Sequence, residues 1–327
     1  MKIVVTGGSG FIGTNYIDYI LKEEKAEILN IDKVPPKKKS HRRFWKECDI
    51  LNDKEMKNII TSFNPDYLIH LAANVRTDLT DINDFNENIQ GVENIVEACR
   101  HTENLKRVVF ASSLLVCQVG YYPKNDTDFK PNTAYGESKV IGEKIVRNAD
   151  NLPYEWTIVR PISIWGEWNG APYLNFFKAV IGGWYFHIGD GHYDRSLGYI
   201  GNTVRQIHAI IKSGTESVHR KTYYLADPEP TDLYVMAEMI REKAGAKKIR
   251  SFPKPLATMI AKIGDILQKA GWRTVPLTTF RLNNITTEYV YDLSSIMNLA
   301  KFRPIPLQTG VDNTLHFIEN VEKMELN

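Results

Sequence analysis

Apolar positions in the first half of the chain fall into short β-branched runs that alternate with longer stretches of helical periodicity. The runs predict strands near residues 2–6, 27–31, 44–48, 67–72, 107–112 and 156–162, and the stretches between them predict helices over 11–23, 53–62, 83–101 and 135–149. In the segment 83–101, Val92, Ile95, Val96 and Cys99 recur at helical spacing among charged residues, so one face is expected to pack on a sheet. Strands alternating with helices favour a parallel α/β sheet covered on both faces. Right-handed crossovers make it doubly wound, with a ligand crevice at the carboxyl ends of the strands.

After residue 165 the alternation fades, and Trp165, Trp168, Pro172, Tyr173, Trp184 and Tyr185 mark a change of texture. The expected division is a dinucleotide-binding part over 1–165 and a smaller, mainly substrate-binding C-terminal lobe over 166–327. A helix near 201–213 and a strand near 221–226 return to the sheet within a segment near 196–228. One further stretch, 255–270, carries Leu256, Met259, Ile260, Ile263, Ile266 and Leu267 on one helical face. Such a stripe serves a membrane surface, a partner or the core; core packing is the expectation.

A length of 327 residues allows one large α/β domain with an attached lobe, and the formal charge of +2 gives no electrostatic case for nucleic acid. Lys37-Lys38-Lys39 with Arg42 and Arg43 form a dense basic cluster that reads as a solvated loop. Cys48, Cys99 and Cys117 are odd in number and far apart, which suits reduced thiols and a cytoplasmic location. Neither a cleavable leader nor an apolar run of membrane-spanning length is read from the sequence.

Chemistry enters at Gly7-Gly8-Ser9-Gly10-Phe11-Ile12-Gly13, between the first strand and the first helix. Glycines at 7, 10 and 13 let the chain turn sharply, let a pyrophosphate approach the backbone and let the helix pack closely. The helix N-terminus offers free N–H groups to the phosphates. Asp32 closes the second strand about 20 residues on, where a carboxylate takes the ribose hydroxyls, as in a Rossmann dinucleotide site. That carboxylate repels a 2′-phosphate by about 1–4 kcal/mol, so NAD is expected over NADP, although Lys33 and the basic cluster pull the other way.

Tyr135 and Lys139 lie four apart on one helical face, where the ammonium and an oxidised nicotinamide both favour the phenolate. Tyr135 can then exchange a proton with a substrate hydroxyl. Ser112 and Ser113 end the strand 107–112 at the crevice edge, where a hydroxyl can hold the reacting oxygen or simply terminate the strand.

Taken in order, Gly7-x-x-Gly10-x-x-Gly13, Asp32, Asp49-Ile50, His70-Leu71-Ala72-Ala73, Asn88, Ser112-Ser113, Tyr135-x-x-x-Lys139 and Arg160-Pro161 resemble the extended short-chain dehydrogenase/reductases that modify nucleotide sugars. The resemblance implies a catalytic set of Ser113, Tyr135 and Lys139. It also implies a cofactor site of Gly7, Gly10, Phe11, Ile12, Gly13, Asp32, Lys33, Asp49, Ile50, Leu71, Ala72, Ala73, Asn88, Tyr135, Lys139 and Pro161. By the same resemblance Ser163, Arg195 (after Gly189-Asp190-Gly191) and Arg281 meet a nucleoside diphosphate sugar, and the chain forms a homodimer.

Where relatives that dehydrate, decarboxylate or epimerise through enolates place acids or a cysteine, this chain has Leu114 and Leu115. Only alcohol–ketone redox at one carbon is supported there. Cys117 sits two residues too far along and reads as a packed apolar side chain, and Gly201-Asn202 departs from the acidic residue relatives often carry. His187 and His192 read as substrate contacts or surface residues, with no metal site expected. The expectation is an NAD-dependent nucleotide-sugar epimerase acting by transient oxidation, at C4. The alternatives are a reductase or dehydrogenase of a keto sugar or other secondary alcohol, and a non-catalytic dinucleotide sensor.

Overall fold

A computed structural model describes residues 1–272, 275 and 277–321. Its strands, in chain order, are β1 (Lys2–Thr6), β2 (Glu27–Asp32), β3 (Trp45–Glu47), β4 (Tyr67–His70), β5 (Arg107–Ala111), β6 (Glu155–Pro161), β7 (Ile164–Trp165), β8 (Phe186–Ile188), β9 (Asp194–Arg195), β10 (Gly198–Tyr199), β11 (Lys221–Leu225), β12 (Thr231–Asp232) and β13 (Arg250–Phe252). The helices are α1 (Phe11–Glu23), α2 (Asp53–Phe63), α3 (Asn86–Arg100), α4 (Ala134–Asn148), α5 (Tyr173–Ile181), α6 (Ile200–Lys212), α7 (Thr215–Val218), α8 (Leu233–Lys243), α9 (Lys254–Lys269), α10 (Thr279–Thr286), α11 (Ser294–Leu299) and α12 (Leu307–His316).

Seven parallel strands form one sheet in the order β11-β6-β5-β4-β1-β2-β3. The winding reverses between β1 and β4, and a doubly wound sheet opens its ligand crevice at that point. Side chains alternate along each strand and split the core in two. Ile3, Val5, Ile69, Val109 and Val159 pack against Ile17 and Ile20 of α1 and Val204, Ile207 and Ile211 of α6. On the other side Val4, Ile31, Leu68, Val108 and Ile158 meet Met56, Ile60, Ile95, Cys99 and Val146 from α2, α3 and α4.

The expected elements differ from these mainly at their ends. β4 stops at His70, since Leu71 N donates to Thr6 O (3.0 Å) and the chain then leaves the sheet, and the first turn of the expected helix 83–101 is 3-10. The basic cluster is not wholly solvated: Lys38 Nζ and the buried His41 both engage Asp18 at 2.8 Å. A larger correction concerns α9. Leu256, Met259, Ile260, Ile263 and Ile266 are exposed, and the buried seam is made by the small residues Ala257, Ala261 and Gly264. These face α10, where a Cβ on Gly264 would collide with the Leu277 carbonyl.

Candidate active site

β1 delivers the chain to Gly7, whose φ of +73° suits glycine; a Cβ there would also lie 2.5 Å from Ala72 N. The loop after β1 thus packs edge to edge on the loop after β4, bringing Leu71, Ala72 and Ala73 beside the glycines. At Gly13 a Cβ would stand 2.5 Å from the Gly7 carbonyl, so glycine lets α1 close on its own loop. Gly10 caps α1 with no side-chain acceptor, and the first turn, with Phe11 and Ile12, holds no acid. Its N–H groups and positive dipole end are therefore available to an anion.

Asp32 joins this cradle: its Oδ2 accepts from Ser9 N and its Oδ1 from Val34 N, both at 3.1 Å. Burial pushes its carboxyl up, against the pull of those two amides. Lys33 turns its charge to Glu87 (2.7 Å) and Asp49 (3.9 Å), which weakens its case as a 2′-phosphate ligand. Ile50 is buried under Gly91. The glycine cradle, uncapped helix end and ribose-side carboxylate fit NAD. Asn88, expected at the cofactor, also braces the site. It is 1% exposed, and its amide is spent on Asn74 N and O (2.8 and 2.9 Å) and Ser138 Oγ (2.9 Å), tying the β4 loop to α4.

The three expected catalytic side chains come together through a helix start. Thr133 caps α4 by accepting from Gly136 N at 3.0 Å, and a Cβ on Gly136 would strike the carbonyl of Leu115. Glycine there lets α4 press against the 3-10 turn Leu114–Val116 that follows β5. Ser113 accepts from Leu115 N (3.1 Å) and stands near enough to the Tyr135 phenol to oppose its rise. Lys139 Nζ donates to Ala111 O (3.0 Å) and lies 6.0 Å from the centre of the Tyr135 ring. Burial pushes the Tyr135 phenol up to about 12, opposed by Ser113. Burial also pulls the Lys139 ammonium down to about 8, opposed by Glu143. Cys117 is buried with its thiol on Asp128 O (3.3 Å) and pushed up by burial, an unreactive thiol.

Sequence reasoning missed Glu143. Its carboxylate is 1% exposed and takes a two-pronged contact from Arg160 (2.8 Å each), one from Arg147 (3.1 Å) and one from Ser112 Oγ (2.6 Å). Ser112 is thereby committed to structure, leaving Ser113 to face Tyr135. Its one visible signal was Glu143 four residues after Lys139 on the same helical face.

On the substrate side, Ser163 adopts φ +45° just past Pro161, and its hydroxyl meets Tyr289 OH at 2.7 Å. Arg195 lies over the Tyr289 ring (5.1 Å), donates to Asn284 O and keeps a buried Nε without a partner. Arg281, on the same α10 that Arg195 reaches at Asn284 O, bonds Val275 O at 2.6 Å. A cleft of about 470 Å³ lies between Gly189, Asp190, His192, Tyr193, Lys254, Thr286 and Glu288. His192 pairs with Asp232 (2.6 Å), whereas His187 is buried against Tyr234, contrary to surface exposure. Among the described residues no group of three or more His, Cys, Asp or Glu side chains could hold a metal.

The model of the NAD dependent epimerase/dehydratase family matches residues 3–226. An N-acetyl-α-D-glucosaminyl-diphospho-ditrans,octacis-undecaprenol 4-epimerase of Escherichia coli O157:H7 is 27% identical, over 97% of this chain and 95% of its own. A decarboxylating sterol-4-α-carboxylate 3-dehydrogenase of Schizosaccharomyces pombe is 23% identical over 99% of both chains. The fold is shared with UDP-glucuronic acid 4-epimerase from Bacillus cereus, solved with UDP-glucuronic acid and NAD (TM-score 0.75, 20% identity, 98% of this chain and 100% of that one). UDP-glucose 4-epimerase of Thermotoga maritima, solved with UDP-glucose, gives TM-score 0.75 at 19% identity, covering 98% and 99%.

Proposed function

This chain belongs to the NAD dependent epimerase/dehydratase family, and we propose that it is a 4-epimerase of a diphosphate-linked sugar, working by transient oxidation at C4. The observation that carries the reading is the meeting of Ser113, Tyr135 and Lys139 beside the glycine cradle, with only Leu114 and Leu115 where an acid or thiol would open another reaction. Residues 1–165, with the returning segment near 196–228, serve the cofactor, and 166–327 mainly serve the sugar.

The Gly7–Gly13 loop, Asp32 and Lys139, with Asp49, Ile50, Leu71, Ala72, Ala73 and Pro161, would hold NAD, which when bound would supply reversible hydride transfer at the sugar carbon. Tyr135 removes the proton of the C4 hydroxyl as that carbon is oxidised and returns it once the ketose presents its other face. Ser113 holds the reacting oxygen. A phenol raised to about 12 is protonated at neutral pH, and lowering it to about 7 requires roughly 7 kcal/mol of differential stabilisation. Lys139 contributes through its charge, and the remainder calls for a second positive group at the site. Arg195, with an Nε still to be satisfied, and Ser163 position the diphosphate sugar. Ile141, half-buried on α4, gives a homodimer an apolar contact.

Purified protein is expected to release NAD on denaturation and to interconvert C4 epimers of a UDP-sugar without added cofactor. Tyr135→Phe is expected to keep NAD and the melting temperature while losing about 10²–10⁴ in turnover; unchanged turnover removes the assigned base. The sterol dehydrogenase relative supports a second reading, a secondary-alcohol dehydrogenase. Stoichiometric reduction of added NAD, with no epimer formed, selects it.

A further inference from the structure

The exposed side of α9 is the least explained surface of the molecule. Met259, Ile263 and Ile266 are 55%, 50% and 66% exposed, and Leu256, Ile260 and, past the helix end, Trp272 extend the same apolar exposure. Spacings of three and four residues place the helical members on one stripe. Exposed large apolar side chains gathered on one face, rather than scattered singly, mark an interaction site. The opposite seam is already occupied: Ala257 and Ala261 pack with Leu282 of α10, and Gly264 fits under Leu277. Among the described residues the contacts that hold α9 run through this small-residue seam.

Charge around the stripe narrows the occupant. Between residues 247 and 269 stand Lys247, Lys248, Arg250, Lys254, Lys262 and Lys269 against a single acid, Asp265, which Thr279 N engages at 2.9 Å. Lysines flanking an apolar face, with a tryptophan at its end, are the composition of a helix that lies in the plane of an anionic bilayer. A second copy of the chain would set the same basic face against itself and meet like-charge repulsion. The helix is 16 residues long, too short to span, and no helix among the described residues is long and apolar enough to cross a membrane.

Lys254 links the same helix, at its first residue, to the substrate side. It opens α9 and also lines the cleft with Gly189, Asp190, Tyr193 and Glu288, its Nζ 6.0 Å from the Tyr193 ring centre. We infer that α9 seats the protein on an anionic membrane surface, so that a diphospho-sugar carried on a lipid enters the cleft from the bilayer side. The substrate half of this inference rests on the proposed sugar chemistry. The seating half does not.

The test is flotation of the full chain with phosphatidylcholine vesicles, with and without phosphatidylglycerol, at low and high salt. Expected is binding that requires phosphatidylglycerol, weakens with salt, and falls by about tenfold or more in an Ile263→Ser/Ile266→Ser variant of unchanged melting temperature and unchanged turnover on soluble UDP-sugar. Wild-type protein that stays unbound, or a variant that binds as well as wild type, overturns the inference. So does a wild-type dimer that the variant dissolves without any vesicle binding, which would give the face to a second copy. Vesicle binding needs no turnover, so a chain that floats without epimerising sinks the sugar reading alone, and one that epimerises without floating sinks this one alone.

Discussion

Two adjacent serines end β5, and their partners separate them. Ser112 gives its hydroxyl to the buried Glu143, while Ser113 faces the Tyr135 phenol. Ser112→Ala is therefore expected to cost about 1.5–3 kcal/mol in urea unfolding with turnover largely kept. Ser113→Ala should show the reverse, a loss of rate at full stability. Glu143→Ala strands the Arg160 charge in the interior and should cost about 3–5 kcal/mol by the same measurement. Lys139 is expected to set the alkaline limit of activity: burial pulls its ammonium down to about 8, so the charge beside Tyr135 is present below that pH and lost above it. The wild-type rate should fall above about pH 8, and Lys139→Met should be slower throughout and lack that break. Tyr135, Lys139 and the glycines were legible because their spacing is local. Glu143 was not, because its partners Arg160 and Ser112 lie 17 and 31 residues away and meet it only through the sheet.

Helices and turns carry the site as much as the side chains do. α4 reaches the turn after β5 because residue 136 is glycine, so Gly136→Ala should push Tyr135 from Ser113 and lower turnover by about 10²-fold or more. NAD release on denaturation should persist, since the β1 cradle is untouched. Strand positions were readable from apolar runs, which alternate between two buried faces. α9 shows where that reading stops. Periodicity identifies an apolar face and is silent on what covers it, and here the seam against α10 uses alanine and glycine, residues a hydrophobic count underrates.

In the whole molecule, later parts of the chain return to the sheet that the first part builds. β11 returns beside β6, and the buried Asn202 then bonds both Asp227 (2.8 Å) and Ile305 (2.8 and 3.0 Å), 25 and 103 residues further along the chain. Asn202 stood out in the sequence only as a departure from an acidic position; its partners come from two distant loops, which spacing alone cannot pair. Every proposed role at the site serves transient oxidation at C4. Its most direct test is a sugar diphosphate deuterated at C4, incubated in ordinary water with the wild-type chain and no added cofactor. Transient oxidation returns the same hydride, so the C4 epimer should keep its deuterium; loss of the label to solvent, or no epimer from either a UDP-sugar or a lipid-linked diphospho-sugar, would contradict it.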